Sequence, residues 1–256
     1  MVKHSKSPVI DTTTENKIAK LCLERGYKLA IAESCTGGLV GHRITNLPGS
    51  SKYFLGSIVA YDYSAKRGVL GVKPEILEKY GAVSKETALE MADGTRRILS
   101  TEEPIEKIIG ASVTGIAGPE GGTPDKPVGL VWIGISNYWY RSAASFIWTG
   151  NRIENKEFSS QAVLNQLLDT LRTLSRYHRV KVRSLINFSG SLEPKAIMRD
   201  NLEIPITAIG RQWQDELGTH ILVMVPGEDV LELIVSTDSN WYYRRVSSLL
   251  SHSDFA

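Results

Sequence analysis

The run Leu29-Ala30-Ile31-Ala32-Glu33-Ser34-Cys35-Thr36-Gly37-Gly38 constrains this chain more than any other stretch. A short apolar segment meets paired glycines, and a helical pattern follows from Leu39 to Leu47. That order predicts a strand, a tight turn and a helix. Such a turn exposes hydroxyls and backbone N–H groups at a helix N-terminus, where negative charge is favoured. The rest of the chain is expected to build a site around this corner.

The neighbouring segments extend the same alternation. A helix is predicted from about Glu15 to Arg25, with Thr13 and Thr14 as caps and Gly26 as its stop. Tyr53 to Tyr61 is nearly continuous in apolar residues, as in a strand covered on both faces. Ser64–Val69 and Pro74–Tyr80 read as short helices, Pro74 suiting a first helical position. Ser84 caps a helix whose Ala88, Met91, Ala92, Thr95, Ile98 and Leu99 recur at three-and-four spacing. Lys107–Val113, Gly129–Ser136 and Ala143–Trp148 read as strands, the last two as a hairpin. Thr149-Gly150-Asn151 opens a long helix to about Tyr177. This alternation argues for a layered α/β domain. After Tyr177 the composition shifts. Strands are predicted at 180–188, 220–225 and 230–235, while Gly190–Thr219 carries no assignable pattern. Residues 1–12 read as a flexible tail, 13–178 as one domain and 179–256 as a small α+β appendage.

Bulk properties narrow the function. The 256 residues are 42% apolar and 23% charged, enough for a buried core. The net charge of +2 has no single-sign block behind it, which argues against nucleic acid or a membrane surface as partner. The two cysteines, Cys22 and Cys35, sit in a predicted helix and in the glycine turn. A disulfide staple is not expected, and a reducing, cytoplasmic setting fits. No apolar run approaches the roughly 18–20 residues that span a bilayer.

Candidate chemistry lies in hydroxyls and one lysine. Ser34 and Thr36 are on the turn, Ser50 and Ser51 precede the second strand, and Lys66 follows it with Tyr61 and Tyr63 nearby. A serine becomes a nucleophile only if a base takes its proton. The five histidines are poorly placed for that. A lysine serves if burial or a neighbouring cation lowers its pKa from roughly 10.4 to about 7–8. Each residue also has a plainer reading. Ser34 or Thr36 alone is a helix cap, Lys66 a solvated charge, and the Gly118–Gly122 loop a surface turn. Cys35 reads as a small buried residue, and Glu33 as either a buried carboxylate with backbone donors or an exposed one.

Five segments, in order, resemble the CinA C-terminal domain family of nicotinamide-nucleotide amidases: Ala32–Gly38, Pro48-Gly49-Ser50-Ser51, Val59-Ala60-Tyr61 with Ala65-Lys66, Gly81-Ala82-Val83-Ser84, and Thr114–Gly122 followed by Lys126-Pro127-Val128-Gly129. The resemblance covers roughly residues 15–177. It implies a three-layer α/β/α sandwich with a largely parallel or mixed central sheet, and hydrolysis of nicotinamide mononucleotide to nicotinic acid mononucleotide and ammonia. It implies a small-molecule nucleotide as substrate, no cofactor, no metal, and a homodimer or higher homo-oligomer. It implies Ser51 as nucleophile, Lys66 as its base, and Ser34, Tyr61 and Thr114 as residues that bind substrate or position the reacting groups; Tyr61 is grouped with the catalytic pair. The turn Thr36-Gly37-Gly38 and the loop containing Gly118 and Gly121 can offer N–H groups to the phosphate. Arg152 resembles the arginine of the family's Gly-x-Arg, which would clamp the phosphate, and reads equally as a solvated charge in the first helical turn. The other reading of the same fold is a non-catalytic nucleotide-binding or assembly module.

Three departures stand out. The family's long form has an N-terminal nucleotide-binding domain with no counterpart in this sequence. Where a second arginine is usual, Lys156 keeps the charge without the bidentate fork. The segment from about 179 onward has no recognised counterpart.

Overall fold

The computed structural model describes residues 12–186, 192–199, 202–227, 229–236 and 239–246. The predicted tail, apart from Thr12, lies outside the described residues. The chain divides into two compact units between Leu171 and Arg172, a few residues before the boundary expected at 178.

In the first unit, α1 (Thr13–Arg25) ends at Gly26, which takes the left-handed conformation that closes a helix. Next come β1 (Lys28–Glu33), α2 (Leu39–Thr45), a short 3₁₀ turn (Ser50–Lys52), β2 (Phe54–Val59), α3 (Tyr63–Gly68), α4 (Pro74–Tyr80) and α5 (Lys85–Ile98). β3 (Ile108–Gly115), the hairpin β4 (Leu130–Ser136) and β5 (Arg141–Ile147), and the long α6 (Arg152–Ser175) follow. Ser84 caps α5 by accepting from the Thr87 N–H. The sheet order is β2-β1-β3-β4-β5. β1 runs parallel to β2 and β3, whereas β4 and β5 are antiparallel, so the sheet is mixed.

Residue size decides how each face is covered. Ala30, Ala32, Gly110, Ser112 and Gly134 share one face by register. A Cβ at Gly110 would lie 2.3 Å from the Ala92 carbonyl oxygen, and one at Gly134 would lie 2.5 Å from that of Ala88. Small residues therefore let α5 press onto the sheet, where Thr95 and Ser112 hydroxyls donate to the Ile31 and Ala88 carbonyls. The other face carries the larger Leu29, Ile31, Ile109 and Val113, all fully buried. On that side Arg43 of α2 ties to Glu15 of α1 and to Ser160 and Gln161 of α6. One expectation needs correcting: β2 is an edge strand and only half-buried, not covered on both faces. Its apolar run reflects packing against α2 and its neighbours rather than a central position.

The second unit is made of strands: β6 (His178–Ile186), β7 (Leu192–Arg199), β8 (Leu202–Pro205), β9 (Ala208–Asp215), β10 (Gly218–Val225), β11 (Asp229–Val235) and β12 (Trp241–Arg245). Among the described residues it contains no helix after α6, so the α+β expectation is corrected to all-β. The order is β8-β7-β6-β12-β11-β10-β9, antiparallel throughout. β8 and β9 are separated only by Ile206 and Thr207. The Ile206 N–H bonds back to Lys195 on β7, and the Thr207 N–H bonds to Met224 on β10. One nearly continuous strand thus joins both edges, closing the sheet into a small barrel, which removes its exposed edges. Val180, Ile197, Ile221, Val223, Leu231 and Leu233 fill the inside.

Candidate active site

Parallel pairing decides which residues meet. β1 and β2 run the same way, so the turn after β1 and the helix after β2 open at one end of the sheet. Ser34 follows β1, fixed by its N–H bonding to the Val113 carbonyl at 2.9 Å. Lys66 lies on α3, just past β2. Its Nζ is 3.0 Å from Ser34 Oγ, 2.9 Å from the Ala60 carbonyl oxygen and 3.1 Å from that of Tyr61.

This lysine is 1% exposed. Burial pulls its pKa below the ordinary lysine value, opposed in part by Cys35 and Asp62. The Asp62 carboxylate is itself occupied as the α3 cap, accepting from Ser64. A neutral amine has two N–H donors and one lone pair. As a cation Lys66 donates to Ser34 Oγ and to both carbonyls; once it has lost a proton, the two carbonyls can keep the remaining donors and the lone pair can turn to the Ser34 hydroxyl. The geometry therefore suits proton removal from Ser34.

Ser51 lies elsewhere. It is exposed, in the 3₁₀ turn that enters β2. The adjacent Lys52 carbonyl accepts from Lys28 at the start of β1, and the Tyr53 carbonyl from Leu29. Six strand residues at roughly 3.3 Å each put about 20 Å between the two ends of β2. The expected Ser51–Lys66 pair is therefore corrected to Ser34–Lys66. The physical reason is chain direction: a residue before a strand and one after it lie at opposite edges.

The turn itself is already occupied. Glu33 is fully buried. Its carboxylate accepts from Thr36 Oγ1 and from the N–H groups of Gly38, Val40 and Gly41, at 2.7–3.1 Å. The Gly37 N–H donates to the Ser34 carbonyl. Thr36 Oγ1 and the Gly37 and Gly38 N–H groups, expected to face a substrate phosphate, thus bond within the turn. Gly37 and Gly38 have φ of +63° and +96°, which no other residue adopts cheaply. Thr114, buried near the end of β3, donates its hydroxyl to the Ala82 carbonyl at 2.7 Å. It holds the 81–84 segment in place. Cys35 is inert, since burial pushes its thiol up to about 12.

Tyr61, Gly118 and Arg152 do come together. Arg152 Nη1 donates to the Gly118 carbonyl at 2.7 Å, and Nη2 to the Tyr61 hydroxyl at 2.8 Å. Tyr61 is 58% exposed, so its ring faces solvent at the site's rim. Gly121 is exposed in the same loop with φ +90°. Lys156 reaches over the turn: its Nζ would lie 3.7 Å from a Cβ at Gly37. Of the two cations on the first turns of α6, Lys156 therefore borders the Ser34 turn and Arg152 meets Gly118 and Tyr61.

Sequence reasoning did not single out Asn155 or Ser57. Buried Asn155 donates to the Ala117 carbonyl and accepts from the Gly150 N–H, pinning the glycine loop to α6. Ser57 donates to Glu33 at 2.7 Å. Ser57 is a small polar residue in an apolar strand, whereas Asn155, flanked by Glu154 and Lys156, carries no sequence signal.

The model for the CinA C-terminal domain matches residues 11–171, which is the first unit. A CinA-like protein of Salinibacter ruber is 46% identical over 161 residues, covering 63% of this chain and 38% of that protein. A CinA-like protein of Dictyoglomus thermophilum is 51% identical over 125 residues, covering 49% of this chain and 29% of that protein. The chain thus spans about a third of the length of these relatives. Among solved structures, the competence damage-inducible protein A of Klebsiella pneumoniae superposes with a TM-score of 0.58 at 27% identity, covering 63% of this chain and 96% of that one. A competence/damage inducible protein of Agrobacterium tumefaciens gives 0.55 at 32% identity, covering 65% of this chain and 99% of that one.

Proposed function

This chain belongs to the CinA C-terminal domain family, and on that premise we propose that its first unit is an amidase that hydrolyses the carboxamide of nicotinamide mononucleotide. The family resemblance supplies the substrate. The observation that carries the chemistry is the buried Lys66 amine 3.0 Å from the Ser34 hydroxyl.

Neutral Lys66 takes the proton of Ser34, and the Ser34 oxygen attacks the carboxamide carbon. The charge that develops on the carboxamide oxygen needs donors; one such donor is worth about 3 kcal/mol. The Cys35 and Thr36 N–H groups, which directly follow Ser34 in the turn, are the donors this reading assigns. Collapse of the intermediate breaks the C–N bond, and protonated Lys66 gives its proton to the departing ammonia. That leaves an ester on Ser34. Lys66 then activates water, which releases nicotinic acid mononucleotide and restores the hydroxyl. Arg152 and Lys156 supply positive charge for the phosphate, and the exposed Tyr61 ring offers a face to the pyridine. Tyr61 thus moves from the catalytic pair to the binding surface.

The test is direct. The protein, incubated with nicotinamide mononucleotide, should release ammonia and nicotinic acid mononucleotide in equal amounts. Binding of the nucleotide without ammonia release would overturn the amidase and leave the non-catalytic binding module.

A further inference from the structure

We propose that Glu33 is the positioning residue of the Ser34–Lys66 pair, a single buried carboxylate that holds in register the turn carrying the hydroxyl and the strand carrying the amine's acceptors. The proposal rests on the amidase reading above.

Both arms of the pair run through this residue. On the Ser34 side, Glu33 Oε2 accepts from Thr36 Oγ1 at 2.7 Å, the Gly38 N–H at 2.9 Å and the Val40 N–H at 3.1 Å. That fixes the turn directly after the hydroxyl. On the Lys66 side, Oε1 accepts from Ser57 Oγ of β2 at 2.7 Å, and the Glu33 carbonyl accepts from the Ala60 N–H at 2.8 Å. Ala60 and Tyr61 are the two residues whose carbonyls hold Lys66 Nζ. The fifth side-chain bond, from the Gly41 N–H at 2.9 Å, anchors α2.

A helix cap alone would not need this reach. The carboxylate can bridge α2 and β2 because Gly41 lets the two approach: a Cβ there would lie 2.8 Å from Ser57 Cβ. Five donors and no acceptor face the group. A carboxylate, which only accepts, satisfies all five. An amide of the same shape offers one oxygen and one NH₂, so at least two donors would face N–H groups. A buried carboxylate is tolerated when its oxygens are hydrogen-bonded in this way.

The experiment combines turnover with a chemical probe of the hydroxyl. Glu33→Gln should lower kcat for ammonia release about 100-fold while KM stays within threefold, because the phosphate and ring contacts lie elsewhere. Glu33→Asp, which keeps the charge on a shorter arm, should recover at least tenfold of that loss. Ser57→Ala, which cuts only the link to β2, should lower kcat about fivefold. A fluorophosphonate reagent, read by mass spectrometry of the Ser34 peptide, reports hydroxyl reactivity without substrate, and its labelling rate should fall in the same order. Should Glu33→Gln fail to fold, Ser57→Ala and Glu33→Asp carry the test, and wild-type kcat in both would overturn the proposal. Wild-type labelling rates in a folded Glu33→Gln would overturn it as well. Labelling of Ser34 in a wild type that releases no ammonia would instead overturn the amidase reading and leave the role of Glu33 to the labelling rates.

Discussion

In the first unit Lys66 is buried against a hydroxyl and two peptide carbonyls. In the barrel His220 and Glu232 are buried against opposite charges. His220 Nδ1 meets Glu232 Oε1 and its Nε2 meets Asp215 Oδ1, both at 2.7 Å. Glu232 Oε2 accepts from Arg244 Nε at 2.7 Å, Oε1 accepts from the Tyr177 hydroxyl, and Trp213 stacks on the imidazole. Burial alone would push His220 down and Glu232 up. Their mutual hydrogen bonds, with those of Asp215 and Arg244, reverse both directions. Lys66 has no comparable compensation, and burial wins. Pairing favours the charged form of a buried group, whereas neutral partners leave burial free to lower a lysine's pKa.

The largest effect that would sharpen this contrast comes from Lys66→Met, which fills the same space without the amine. Ammonia release should fall about 1,000-fold or more. Stability in a denaturant titration should change little, since removing a buried amine relieves its desolvation cost while two carbonyls lose a donor. A large loss of stability would mean that Lys66 is structural after all. Glu232→Gln is the mirror experiment. It strands His220 and Arg244 and should cost the barrel about 3 kcal/mol, followed by the fluorescence of Trp213 and Trp241, with ammonia release by the folded protein unchanged.

Arg152→Lys keeps the charge but loses the fork between Gly118 and Tyr61. KM should rise about tenfold with kcat within twofold. The smallest effect is on pH dependence, where the two units should respond with opposite signs. His220 is raised when folded, so its contribution is complete below about pH 6.5 and is lost as pH rises through the folded value. Glu232 is lowered, so its contribution is present above about pH 4.3 and is lost as pH falls through its folded value. Lys66 is lowered as well, but as a base. Its burial costs stability while the unfolded chain binds a proton that the folded one does not, and this cost fades as pH climbs toward about 10.4. Hydrogen exchange from pH 6 upward should therefore show barrel protection falling while that of the β1–β3 region rises. Ammonia release should also increase as Lys66 loses its proton. Parallel trends in the two units would break the contrast.

Much of the first unit was legible in the sequence. The glycine turn, the Ser84 cap, Pro74 at a helix start and the Gly129–Trp148 hairpin each carry a local signal, and each sits where that signal points. The choice between Ser34 and Ser51 was the hard part. Ser34 has the look of a helix cap, and the role of Ser51 came by resemblance. The topology decides which serine lies beside Lys66, because parallel strands gather the residues that follow them at one edge. Gly190–Thr219 was unreadable for another reason. Pro194 and Pro205, a four-residue β8 and a strand that changes partners at Ile206-Thr207 leave no run long enough to show its alternation. The network around Glu33 was invisible because its donors are mostly backbone N–H groups, which a sequence does not display.

The most direct measurement compares Ser34→Ala and Ser51→Ala side by side for ammonia release from nicotinamide mononucleotide. The buried lysine beside Ser34 predicts that Ser34→Ala is inactive and that Ser51→Ala works within twofold of wild type. An active Ser34→Ala beside an inactive Ser51→Ala would contradict the account.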